Sequence, residues 1–352
     1  MKEKKKIRIL SLDGGGIRGI IPAMIIEYAE KYLKDKVPGT TIADHFDFIA
    51  GTSTGGILTG IYLTPSDKNK NKAKYTAPEA LDFYIKEGYN IFNASKIKDW
   101  KRLWGLGNAV EFSPVYLENL LKKRFGDVLL SELIKPCLIT AYNMGHKSSF
   151  FFTSTEDPSE REFFLRDVLR STSAAPTYFP PAKIKNVAPY PHKSESIDMI
   201  NLDGGVFANN PTMCAYAEAR NTNFEERNNN RPSASHMYIL SIGTGGGFQL
   251  NKKHRSDKWS LLKWAKSLPV IMMDGSVDTV AFQMEEINGT LRSNDPGGYM
   301  RVDTPSHDRK YAEDMSDASP ENIDALLKAG KKTLEHAKLK GLNNFLDGLL
   351  DQ

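Results

Sequence analysis

One pentapeptide places a serine where it could act as a nucleophile. Gly51-Thr52-Ser53-Thr54-Gly55 follows an apolar segment and precedes another. The glycines allow a sharp turn that exposes the serine hydroxyl at the start of a helix, where the positive end of the helix dipole favours a developing anion. The spacing predicts a catalytic Ser53, with Gly51 and Gly55 shaping the turn. The alternative is a glycine-rich turn in which the serine is only the N-cap of the helix and has no catalytic role.

A serine nucleophile needs a base. Asp203, followed by Gly204 and Gly205, comes directly after the apolar segment Met199–Leu202, which is predicted to be a strand. If the strands are parallel, Asp203 lies at the same sheet edge as Ser53 and can accept the hydroxyl proton directly. Asp13 also follows a predicted strand, and the residues leave open whether it is the base instead. Most of the seven histidines fall in polar loops or on predicted helix surfaces, and a structural role is favoured for each: His45, His146, His192, His236, His254, His307 and His336.

A second glycine-rich loop, Asp13–Gly19, has the sequence Asp-Gly-Gly-Gly-Ile-Arg-Gly. Consecutive N–H groups in such a loop form a concavity that can hold an oxyanion. The predicted donors are Gly14, Gly15, Gly16, Ile17 and Arg18. A dinucleotide-binding loop also fits the glycine spacing, but the acidic residue expected at the end of a second strand is poorly matched. Arg18 has three interpretations: it fixes the loop, attracts a lipid phosphate or forms a surface salt bridge.

The segments around these motifs predict the architecture. Ile7–Leu12 reads as a buried strand followed by a glycine loop and a helix, and Phe46–Ala50 begins a second unit of the same kind. Further strands are predicted at 137–142, 150–155, 199–202 and 237–242. Apolar strands that alternate with helices indicate a mostly parallel sheet covered on both faces. We expect a three-layer α/β/α sandwich in which residues 1–352 form one domain.

Composition narrows the functional classes. With 352 residues, 40% hydrophobic and 26% charged, the chain has ordinary globular usage. The net charge of +4 is small and no nucleic-acid-binding motif accompanies it, so we do not expect a nucleic-acid partner. Two cysteines, Cys137 and Cys214, cannot form a disulfide framework or a CxxC metal pair. No apolar run reaches the roughly 20 residues of a membrane span. We expect a cytoplasmic protein without a cleaved signal; the lysine run at residues 2–6 is either a solvated tail or a contact to an anionic membrane surface.

Taken together, the three motifs resemble the signature of the patatin-like phospholipases. This family includes plant patatin and bacterial lipid acyl hydrolases. Similar stretches occur at 171–182, 240–245 and 317–322, so the resemblance covers nearly the whole chain. It implies the three-layer fold, a Ser53–Asp203 dyad and an oxyanion hole from Gly14 to Arg18. It also implies hydrolysis of phospholipid or glycolipid esters at a membrane surface, with neither a metal nor another cofactor.

Two other functions stay open from the sequence. The chain could be a catalytically silent lipid-binding module, although the intact Ser53, Asp203 and glycine loop argue against loss of turnover. It could also be an effector of a bacterial signalling or defence system, which a small-molecule activator switches on to degrade membranes. No residue pattern establishes that activator.

Overall fold

The computed structural model describes residues 5–94, 96, 110–191, 197–246, 261–291 and 298–350. The strands are β1 (Ile7–Leu12), β2 (Phe48–Thr52), β3 (Cys137–Asn143), β4 (Ser148–Thr153), β5 (Ala182–Lys185), β6 (Asp198–Asp203), β7 (Asn223–Phe224), β8 (Asn229–Asn230), β9 (Met237–Ile242) and β10 (Tyr299–Val302). The helices are α1 (Ile20–Lys36), α2 (Thr54–Leu63), α3 (Ala77–Gly88), α4 (Val115–Phe125), α5 (Leu165–Thr172), α6 (Gly205–Ala208), α7 (Thr212–Asn221), α8 (Leu261–Gly289), α9 (Pro320–Leu339) and α10 (Leu342–Gly348). Most of the lysine run, and the predicted structural His192 and His254, lie outside the described residues.

Among the described residues, eight strands form one sheet in the order β10-β9-β1-β2-β3-β6-β5, with β4 also paired to β3. The strands β10, β9, β1, β2 and β3 are parallel, whereas β4 and β6 run antiparallel to β3. The α/β fold with a mostly parallel central sheet is therefore confirmed.

Helices cover both faces of this sheet. Alternate residues of β1 point to opposite sides: Leu10 and Leu12 belong to the larger core, together with residues of α1, α2, α5 and α9. Ile7 and Ile9 belong to a second core that includes residues of α7 and α8. Burial on both faces explains why the parallel strands are nearly continuous apolar runs. Within the described part of the chain, no helix is both long and apolar enough to cross a membrane.

The two edges of β3 bring the active-site motifs together. The antiparallel strand β4 pairs along one edge, from Leu138 to Asn143. The strands β2 and β6 must therefore share the other edge. β2 pairs with the first four residues of β3, and its last residue, Thr52, lies opposite Thr140. β6 pairs with the last three residues of β3, and its last residue, Asp203, lies opposite Ala141. The carboxyl ends of β2 and β6 thus meet head to head.

This arrangement corrects one premise of the sequence analysis. Asp203 does share a sheet edge with Ser53, but not because its strand is parallel to β2. The strand β6 enters from beyond the carboxyl edge of the sheet and runs toward β2. Its last residue, Asp203, therefore stops beside the residue that follows Thr52.

Candidate active site

Ser53 occupies the turn between β2 and α2 in a strained backbone conformation. Its φ of 53° and ψ of −118° lie in a region that residues with a side chain rarely adopt, at a cost of about 1–3 kcal/mol. The backbone N–H of Ser53 donates to the Thr172 hydroxyl at 2.8 Å. A Cβ at Gly51 would lie 2.2 Å from the Gly55 carbonyl oxygen, so the tight turn requires glycine there. This geometry fixes the serine hydroxyl at the start of α2.

Asp203 is buried beside this serine, with 3% of its surface exposed. Its carboxylate lies close enough to the Ser53 side chain for that hydroxyl to lower its pKa, and it accepts a hydrogen bond from the Gly205 N–H at 2.7 Å. Burial has the larger effect and raises the pKa of Asp203 to about 7, although the Ser53 hydroxyl and the Gly205 N–H favour the ionised form. A Cβ at Gly204 would lie 2.0 Å from the Thr140 hydroxyl oxygen, so this turn also needs glycine. Near neutral pH, Asp203 is a much stronger base than an exposed aspartate.

Asp13, the other candidate base, has a different partner. Its two carboxylate oxygens accept hydrogen bonds from the Arg301 guanidinium at 3.0 and 2.5 Å. Arg301 also contacts Asp303 at 2.7 Å and the Ser241 hydroxyl at 2.9 Å. Burial raises the pKa of Asp13 to about 6, and Arg301 opposes that rise. The arrangement anchors the start of the glycine loop on β10 and leaves the contact with Ser53 to Asp203.

Most of the predicted oxyanion donors already have acceptors inside the protein. The N–H of Gly14 donates to the Asn209 carbonyl at 3.0 Å, that of Ile17 to the Met315 carbonyl at 2.9 Å and that of Arg18 to the Gly15 carbonyl at 3.2 Å. Within the described residues, the N–H groups of Gly15 and Gly16 have no protein acceptor. These two donors are therefore the ones available to a ligand.

The glycine loop is held in direct contact with the serine turn. A Cβ at Gly14 would lie 3.2 Å from Ser53 Cβ, and the Thr244 hydroxyl donates to the Gly14 carbonyl at 2.7 Å. At Gly15 a Cβ would lie 2.3 Å from the Thr244 hydroxyl oxygen, and Gly16 has a positive φ of 59°. Both positions require glycine for the loop to keep this path.

Arg18 is buried, with 6% of its surface exposed, and its Nε donates to the Gly15 carbonyl at 3.3 Å. The interpretation as a surface salt bridge is therefore wrong. The contact supports the interpretation that Arg18 fixes the loop.

A narrow apolar groove opens beside Ser53. Its walls come from α2, α3, α4 and the segment after α5. The residues that line it are Gly16, Ser53, Thr54, Ile57, Phe83, Tyr84, Gly88, Ile91, Phe92, Leu117, Ser173, Ala175, Tyr178, Phe179 and Met315. No histidine is among them. In the described part of the chain, no group of three or more His, Cys, Asp or Glu side chains is placed to hold a metal ion.

Comparison with known proteins assigns the family. The model of the patatin-like phospholipase family matches residues 10–216. The chain belongs to the patatin-like phospholipase family. It is 31% identical to patatin-like protein 2 of Oryza sativa subsp. indica over 94% of this chain and 84% of that one. It is 33% identical to patatin-like protein 4 of Arabidopsis thaliana, covering 94% and 83% of the two chains. The solved structure of VipD from Legionella pneumophila covers 98% of this chain and 67% of its own, at a TM-score of 0.41 and 10% identity.

Several residues that position the site of this member of the patatin-like phospholipase family were not predicted from the sequence. Thr172 holds the Ser53 backbone, Thr244 and Asn209 hold the Gly14 carbonyl, and Arg301 pairs with Asp13. A signal existed for Thr244, because it follows the predicted strand β9 within a Gly-Thr-Gly turn. Arg301 lies in the short strand β10, and no local pattern connects it to Asp13.

Proposed function

We propose that the protein is a serine lipid acyl hydrolase that cleaves fatty-acyl esters of phospholipids or related glycerolipids. The observation that carries the proposal is the proximity of the Ser53 side chain to the buried Asp203 carboxylate, at the wall of an apolar groove. Membership of the patatin-like phospholipase family supports lipid acyl hydrolysis as the general activity. The phospholipase A reaction and the residue roles below are parts of the proposal.

In the proposed reaction, the Ser53 hydroxyl oxygen attacks the ester carbonyl while Asp203 accepts the hydroxyl proton. The carbonyl oxygen becomes an oxyanion, to which the free N–H groups of Gly15 and Gly16 donate. When the intermediate collapses, Asp203 returns the proton to the departing alcohol and Ser53 keeps the acyl group. Water then attacks the acyl-enzyme and gives its proton to Asp203, and the second collapse releases the fatty acid and restores the Ser53 hydroxyl.

The raised pKa of Asp203 makes a base without histidine plausible in chemical terms. General-base catalysis is most effective when the pKa of the base lies near the working pH. An exposed aspartate, with an ordinary pKa of 3.8, is ionised at neutral pH but binds a proton too weakly to help. Burial moves the pKa of Asp203 to about 7, into the range that histidine normally supplies.

The groove provides the binding energy for an acyl chain. Ile57, Leu117 and Phe179 contribute branched and aromatic surface to its walls. Each methylene that moves from water into such surroundings contributes about 0.8 kcal/mol. The groove starts at Ser53, so an acyl chain lying in it presents its ester carbonyl to the hydroxyl.

The test measures fatty-acid release from a soluble short-chain phosphatidylcholine and from phospholipid vesicles. Wild type is compared with Ser53→Ala and Asp203→Asn, each checked by a thermal melt. Removing a nucleophile or its base lowers the rate by about 10³-fold or more, so both folded variants should lose activity. Ser173→Ala is the matched control, because Ser173 lines the same groove but its hydroxyl donates to the Leu169 carbonyl at 2.8 Å. This variant should keep its activity.

The same experiment separates the alternatives. A wild-type chain that hydrolyses neither substrate, and that no serine-directed phosphonate labels at Ser53, would refute a hydrolase that is active on its own and favour a silent lipid-binding module or an effector that needs an activator. A Ser53→Ala variant with an unchanged rate would refute the assigned nucleophile.

A further inference from the structure

Helix α8 is much longer than the strands on which it lies. Its 29 residues, from Leu261 to Gly289, span about 43 Å, whereas a six-residue strand such as β9 spans about 20 Å. A helix of this length cannot be covered by the sheet along its whole length. Part of α8 must project past one edge.

Contacts along α8 show which part projects. Met284 is buried in the second core with Ile7 and Met237, which start β1 and β9. A Cβ at Gly205 would lie 3.3 Å from Met273, so this part of α8 is level with the carboxyl end of β6. The helix therefore runs from the carboxyl edge of the sheet to its amino edge. Residues 261–272 precede that level and extend up to about 18 Å beyond the edge at which Ser53 lies.

The projecting part of α8 carries a row of exposed apolar side chains. Trp264, Leu268 and Met272 are 41%, 47% and 59% exposed, and we call these three residues the edge stripe. Their spacing of four residues places them on one side of the helix. A contiguous apolar row of this kind on a surface helix is typical of a binding site for another apolar surface.

A second exposed apolar group lies beyond the same edge. Ile200 is 42% exposed on β6, upstream of the part of that strand that pairs with β3. Its carbonyl accepts the N–H of Met144, which is also 42% exposed. Lys183 lies opposite Ile200 in the β5–β6 pairing and is exposed. By strand alternation Ile200 shares the sheet face of Leu138, which belongs to the core that α7 and α8 cover.

We propose that the edge stripe docks this protein on the surface of an anionic lipid bilayer and presents the Ser53 groove to it. The proposal rests on the proposed function, since it takes the bilayer as the source of the substrate. Tryptophan with aliphatic side chains on one side of a helix is typical of interfacial membrane binding. The sequence of residues 261–273 contains two lysines and no acidic residue, which matches an anionic surface.

Charge separates the two halves of α8. Asp274, Asp278, Glu285 and Glu286 lie on the half that runs beside the sheet, which begins after Met273. Phe282 is 61% exposed on that same half. This half should stay in water, because an anionic bilayer repels its carboxylates. Phe282 therefore provides a matched control: an exposed apolar residue on the same helix that should not contact lipid.

Flotation measures binding to vesicles that contain equal amounts of phosphatidylcholine and phosphatidylglycerol. All variants carry Ser53→Ala, so that binding is read without hydrolysis. The double variant Leu268→Gln, Met272→Gln should bind about 10- to 100-fold more weakly, because it removes two inserted apolar side chains. Phe282→Gln should bind as the parent does. In the catalytically intact background, the double variant should lose hydrolysis of vesicles but keep hydrolysis of the soluble short-chain substrate.

Three outcomes overturn the proposal. The parent chain failing to float with vesicles would do so, as would equal loss of binding by Phe282→Gln. A chain that forms dimers without lipid, with the dimer lost in the double variant, would assign the edge stripe to a second copy. Absence of activity on the soluble substrate would instead count against the proposed function and leave the flotation result to stand alone.

Discussion

The pH dependence of ester hydrolysis tests the proposed base most directly. Asp203 must be ionised to accept the Ser53 proton, and burial raises its pKa to about 7. Activity should therefore rise with pH through that value. At about pH 6 only about a tenth of Asp203 is ionised, so kcat/KM should fall to about a tenth of its plateau; at about pH 8 it should reach about nine tenths. An exposed aspartate with its ordinary pKa would leave the rate flat over this range.

The assay follows butyrate release from a soluble short-chain phosphatidylcholine, quantified by chromatography so that the readout itself does not titrate. Melts across the same pH range exclude unfolding as the cause. Asp13→Asn is the informative control, because burial raises the pKa of Asp13 to about 6 as well. That variant should keep the rise near pH 7. A rise that disappears in Asp13→Asn, or a wild-type profile that is flat from about pH 5 to 8, would refute the assignment of Asp203.

Three further predictions concern stability. Ser53→Gly should raise the free energy of unfolding by about 1–2 kcal/mol over Ser53→Ala in urea melts, since glycine adopts the positive φ without strain; equal stabilities would contradict the strain. Because the pKa of Asp203 is raised in the folded protein, ionising this residue lowers the free energy of unfolding, by on the order of 4 kcal/mol. The stabilising contribution of the protonated form is complete below about pH 3.8 and is lost as the pH rises through about 7. Asp203→Asn should therefore gain Tm over wild type as the pH rises from about 4 to about 7, and a gap independent of pH would refute this reasoning. Arg301→Ala leaves the buried Asp13 without its cation and should destabilise by about 3–5 kcal/mol, which adding Asp13→Asn should partly restore; denaturant melts of the single and double variants measure this coupling, and strict additivity would contradict it.

Local patterns predicted the elements that carry a strong local signal. Ile7–Leu12 and Met237–Ile242 are strands with the predicted bounds, because both are largely apolar and buried on both faces. Helix α2 follows Ser53 as the motif requires. The strand predicted at Phe46–Ala50 lies at Phe48–Thr52, since the Asp47 carboxylate is bound by Arg8 before the strand begins.

Features that depend on distant contacts were not predictable in this way. The direction of β6 follows from β4 occupying the other edge of β3, which no residue of β6 reveals. The short strand β10 has only four residues with an arginine among them, and its pairing with β9 is what makes it a strand. Helix α8 contains a proline and two glycines, so its sequence lacks a continuous helical signal. The sequence likewise does not show which oxyanion donors are available, because that depends on distant acceptors. The carbonyls of Asn209 and Met315 accept the N–H groups of Gly14 and Ile17.

The proposed dyad concentrates two destabilising features at one point, and the fold supplies rigid support there. Ser53 is strained and Asp203 is a buried carboxylate, so each alone would favour local rearrangement. Opposing this, the Thr172 hydroxyl holds the Ser53 backbone and the Thr52 hydroxyl contacts that of Thr140 at 2.7 Å, directly beneath the junction of β2 and β6. Because Ser53 directly follows β2, Asp203 ends β6, and both strands pair with β3, a shift of either residue breaks backbone hydrogen bonds of the sheet. Such a site stays preorganised without substrate, as electrostatic stabilisation of an oxyanion requires.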